Sequence, residues 1–74
     1  MNAISNQRAV LETIFYQVYV YNTIYGNWEF CTELVNQHLA EEWISRNMED
    51  GCQYRINRTI SGIVAEGVKR KAKE

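Results

Sequence analysis

Cys31, His38 and Cys52 are the side chains of this 74-residue chain best suited to nucleophilic or metal chemistry, with Glu41 and Glu42 close by in sequence. Structural zinc sites place their ligands in close pairs such as Cys-x-x-Cys, whereas here the gaps are long and unpaired. On one helix Cys31 and His38 would stand two turns apart, roughly 10 Å, beyond the hydrogen bond that a base needs to activate a thiol. Glu41 and Glu42 are adjacent, so on a helix they point to different sides and do not form an acid–base pair. The expectation is a chain with no metal, no cofactor and no catalytic residues. The lone His38 reads as a residue at the rim of an apolar stripe.

The basic residues suggest a different chemistry. Between Asn27 and Asp50, six acids (Glu29, Glu33, Glu41, Glu42, Glu49 and Asp50) face only Arg46, a balance of −5. From Gly51 onward the sign reverses, with Arg55, Arg58, Lys69, Arg70, Lys71 and Lys73 against Glu66 and Glu74, a balance of +4. Arg55, Arg58, Lys69, Arg70 and Lys71 are therefore candidates for contact with nucleic acid or an acidic partner. The simpler expectation is that the acidic and basic segments lie side by side and neutralise each other. A single basic stripe interleaved with aromatics, the signature of a nucleic-acid surface, is missing from the pattern.

Composition bounds the class. The chain is 46% hydrophobic and 23% charged with a net charge of −1, values of an ordinary globular domain rather than a disordered segment. A chain this short reads as one domain, residues 1–74, and buries only about 60% of its unfolded surface. Its N-terminus turns polar at once, without the apolar core of a secretory leader, and no run reaches the ~18 apolar residues of a membrane span. The expected compartment is the cytoplasm, where Cys31 and Cys52 stay reduced. Asn57-Arg58-Thr59 is then a chance match to the glycosylation sequon.

The elements that would position these residues read as helices. There is no proline, and Gly26 and Gly51 punctuate the chain into three segments. The spacing predicts an all-α, compact three-helix bundle with helices at about 5–25, 28–47 and 52–71. Leu11, Ile14, Val18, Tyr21 and Tyr25 recur at steps of three and four behind an N-cap at Ser5, with Gly26 suited to the left-handed position past a helix end. Trp28, Cys31, Val35, Leu39 and Trp43 form the second stripe behind Asn27, with a supporting Glu42–Arg46 pair. Asp50-Gly51-Cys52-Gln53 resembles a capping box opening a third helix along Ile56, Ile60, Ile63 and Gly67. The competing reading is an α+β fold with residues 14–22 as a strand, because that stretch is rich in β-branched and aromatic residues.

On the helical reading, the first segment carries a second apolar face that two sister helices do not cover. Tyr16, Tyr19, Val20 and Ile24 are accordingly the expected partner-binding residues, tyrosine being favoured where an apolar body meets a polar rim. The function expected is that of a small non-enzymatic regulator or adaptor that binds another protein or itself as a homodimer. The alternative is a small nucleic-acid-binding regulator using the basic third helix. No membrane partner is expected.

Overall fold

A computed structural model describes residues 14–70. Four strands and one helix follow in the order β1 (Tyr16–Asn22), β2 (Asn27–Leu34), α1 (Gln37–Asn47), β3 (Gln53–Arg58) and β4 (Gly62–Val68). The strands form a single antiparallel sheet in the order β2-β1-β3-β4, so each hairpin is consecutive in sequence and the helix carries the chain across to the far side of β1. This architecture overturns the all-α three-helix bundle. Of residues 14–22, the competing strand, Tyr16–Asn22 form the inner strand β1, and the two segments taken for its sister helices supply its neighbours. Ser5, Leu11 and the rest of the first segment before residue 14 lie outside the described residues, as does Lys71.

Glycine marks a boundary at both positions, a hairpin turn at Gly26 and the loop between α1 and β3 at Gly51. Gly26 has φ of +70°, the left-handed value the helical reading asked of it, yet it closes a hairpin. There the Asn22 carboxamide oxygen accepts from the amides of Ile24 (2.9 Å) and Tyr25 (3.0 Å), and the Asn22 carbonyl accepts from Gly26 (2.7 Å). Gly51, at φ +92°, ends the loop after the helix, and the Asp50–Gln53 stretch enters β3 rather than a third helix. Its amide donates to the Lys69 carbonyl (2.7 Å), and Asp50 accepts from Lys69 Nζ (2.7 Å).

Only the end of the second segment is helical. Asn36 in extended backbone caps α1 by accepting from the Leu39 amide (2.8 Å), and Asn47 is the last residue, as the spacing predicts. Glu42 and Arg46 meet at 3.0 Å, an exposed pair worth no more than about 0.5 kcal/mol. Ala40 and Ile44 on one side of α1, with Met48 at its C-terminal cap, cover Val18 and Ile56, which face each other across β1 and β3. These five residues are the buried core, with Tyr16, Val20, Leu34, Trp43 and Tyr54 packed at its edge. Among the described residues the core is therefore one-sided: the helix covers one face of the sheet. Among the described residues no helix is long and apolar enough to cross a membrane.

Candidate docking face

Strand alternation sends every second residue to the side away from the helix. On β1 these are Gln17, Tyr19 and Tyr21, and their direct partners on β2 are Glu33, Phe30 and Trp28. A bulge in β2 beside Val18 and Tyr19 accommodates the odd residue between the two registers. On β3 the open side carries Gln53, Arg55 and Asn57, and on β4 it carries Ile63, Glu66 and Val68.

Cross-strand aromatic pairs dominate this face. Tyr19 and Phe30 meet edge to face with ring centroids 5.8 Å apart, and Tyr21 and Trp28 do so at 5.2 Å. The Arg55 guanidinium lies 4.0 Å from the centre of the Trp28 ring, and its Nε donates to Glu66 at 3.1 Å. Tyr21, Trp28, Arg55 and Glu66 thus connect all four strands. Below them Gln17 donates to Glu33 at 3.1 Å. An open hollow of about 230 Å³ lies between Tyr19, Trp28, Arg55, Asn57 and Ile63. Arg55 is neutralised by Glu66, so the face is aromatic and apolar with little net charge.

The four residues expected to bind a partner are not brought together. Tyr16 and Val20 face the helix, where Val20 packs on the core and the Tyr16 hydroxyl accepts from Arg58 Nε at 3.0 Å. Tyr19 alone lies on the open face, and Ile24 stands 85% exposed at the tip of the first hairpin. Sequence reasoning missed Tyr21, Trp28 and Phe30 as members of one surface. The signal was present: Tyr19 and Tyr21 are two apart, Trp28 and Phe30 are two apart, and the pairs are mirrored about the Asn22–Asn27 turn.

The basic residues of the third segment are also dispersed, and the basic third helix does not exist. Arg55 lies on the open face, Arg58 on the helix side with hydrogen bonds to Tyr16 and Ser61, and Lys69 is tied to Asp50. Arg70 is exposed. No continuous basic stripe results among the described residues.

Cys31 and Cys52 are both free and half-buried at the margin of the core. Burial pushes the Cys31 thiol above its ordinary value of 9.0, with the Glu29 carboxylate and Cys52 adding to the shift and a hydrogen bond from the Val20 backbone opposing it. A nucleophilic cysteine needs the reverse. His38 sits exposed on α1. Among the described residues no three His, Cys, Asp or Glu side chains gather as metal ligands would. No family model, no curated protein and no solved structure matches this chain.

Proposed function

We propose that this chain is a small non-enzymatic adaptor or regulator that works as a homodimer, with the open sheet face of each copy covered by that of the other. The observation that carries the reading is the aromatic row Tyr19, Phe30, Tyr21 and Trp28 on a sheet face that no layer covers among the described residues. Phe30 alone is 57% exposed. A second copy suits this face on three grounds. Two twisted sheets pack face to face about 10 Å apart, an arrangement that buries an apolar sheet surface. The internal Arg55–Glu66 pair leaves little net charge to repel an identical surface. The one-sided core of a domain this small gains most from a second buried layer.

Strand spacing and rise give the four-stranded face a projected footprint of roughly 19 by 23 Å. That is the size of a reversible contact rather than of an obligate dimer. The aromatic rings favour this over nucleic acid. Their edges and faces are already used by one another and by Arg55, whereas base stacking needs free ring faces beside a basic groove.

Light scattering and sedimentation on the full chain test the dimer. At ~100 µM, above the micromolar dissociation constants of reversible dimers, the expected mass is twice the 8.7 kDa chain mass. Tyr19→Thr with Phe30→Thr, which keeps strand-favouring residues at both positions, is expected to return the mass to that of one chain with the circular dichroism unchanged. A wild-type chain that stays monomeric at this concentration overturns the reading.

A further inference from the structure

We infer that β4 is a docking edge for an extended segment of another protein, which adds to the sheet as a fifth strand and places an apolar side chain in a slot beside α1. The two sheet edges differ in how they are guarded. Each edge strand has one bulge, but β2 also carries two acids, Glu29 and Glu33, charges that discourage further pairing. β4, Gly62–Val68, carries one charge, Glu66, and Arg55 already holds it. It exposes Ile63, Val64 and Val68, and among the described residues no strand pairs with its outer row of backbone N–H and C=O groups.

The helix side of β4 is prepared for an additional residue. Gly62, Ala65 and Gly67 are its helix-side residues, all of them small, and α1 packs on β1, β2 and β3 but not on β4. Between helix and strand lies a slot of about 230 Å³, bounded by Glu41, Ile44 and Ser45 of α1, by Tyr54, and by Val68 to Arg70 at the end of β4. Strand addition draws affinity from the backbone ladder and specificity from pockets for alternate side chains, and β4 offers both. Arg70 is exposed at the rim of the slot, and Lys71 follows in the sequence. The segment that fits is extended, apolar at alternate positions, and acidic where it passes Arg70.

The register argues against a second copy of β4 as the occupant. The shift between Ile56 and Asn57 of β3 makes Val64 an extra residue, so Ile63 lies on the open side and Gly67 on the helix side. A two-fold pairing centred on Ala65 then sets these two, from opposite faces, against each other, and one centred on Glu66 opposes two carboxylates. The inference stands apart from the dimer, since a face-to-face sandwich leaves both β4 edges outermost.

The test uses the full chain as bait for a displayed library of random peptides of roughly ten residues, long enough to span an edge strand. Enriched peptides are expected to show apolar residues at alternate positions with an acidic residue to one side. Amide shifts on adding the best peptide should map to residues 62–69 and to the slot-lining turn of α1. Ser45→Trp, which fills the slot from an exposed helix position, should weaken binding at least about tenfold, and Arg70→Glu by roughly fivefold, the scale of an exposed ion pair and its reversal. Tyr19→Thr with Phe30→Thr should leave peptide binding unchanged. No enrichment, peptides without the alternation, undiminished binding to Ser45→Trp, or shifts centred on Tyr19, Trp28 and Phe30 would each overturn the inference.

Discussion

Two single residues carry conformational and proton-binding signatures that can be measured directly. Ile60 sits at φ +79° in the turn between β3 and β4, a left-handed backbone that a β-branched side chain enters at a cost on the order of 1 kcal/mol or more. Its side chain is 71% exposed and so recovers little by packing. The turn holds because Ser61 donates its amide to the Arg58 carbonyl at 3.0 Å and Thr59 donates to the Phe15 carbonyl at 3.0 Å. Ile60→Gly is expected to raise unfolding free energy by about 1 kcal/mol, read from the urea midpoint. Cys31 acts through its proton. Its folded pKa lies above the ordinary 9.0, so the folded chain holds the thiol proton more tightly than the unfolded chain does. That contribution is present below pH 9.0 and is lost as the pH rises through the folded value. The stability difference between wild type and Cys31→Ala should therefore shift against wild type above this pH.

At the scale of elements, the β3–β4 hairpin depends on close approach. The Tyr54 ring lies over Gly67, where an added Cβ would stand 2.9 Å from the hydroxyl oxygen and 3.1 Å from Cζ. Tyr54 is half-buried at the edge of the core, so the ring must move for the methyl to fit. Gly67→Ala is expected to destabilise by about 1–3 kcal/mol, the range of overpacked sites, with a lower thermal midpoint as the check. A glycine here reads in the sequence as a weak helix residue, whereas its role is to clear space for a tyrosine from the neighbouring strand.

At the scale of the molecule, one helix on one side of a four-stranded sheet gives a core of Val18, Ala40, Ile44, Met48 and Ile56 and, among the described residues, leaves an aromatic face opposite. If that face is buried in the dimer, thermal stability depends on concentration, because association draws on the folded state alone. The midpoint of wild type should rise with protein concentration, and that of the Tyr19→Thr and Phe30→Thr variant should not. A concentration-independent midpoint in both would count against the dimer. The proposed dimer and the proposed strand docking use separate surfaces: the open face for self-association and the β4 edge for a target strand.

By itself the amino-acid sequence determined the punctuation at Gly26 and Gly51, the end of the helix at Asn47, the Glu42–Arg46 pair, and the excess of aromatic surface between Phe15 and Phe30. Those are local properties, fixed by left-handed backbone, spacing along one element and composition. Whether Tyr16–Asn22 is helix or strand was not local. Nearly every position in it is apolar or aromatic, so steps of three and four are satisfied as readily as steps of two. Only tertiary structure decided it, by supplying β2 and β3 as hydrogen-bonding neighbours on either side. The same pairing sorted Tyr16 and Val20 to the core and Tyr19 and Tyr21 to the open face, because a strand divides consecutive residues between two sides and a helix does not.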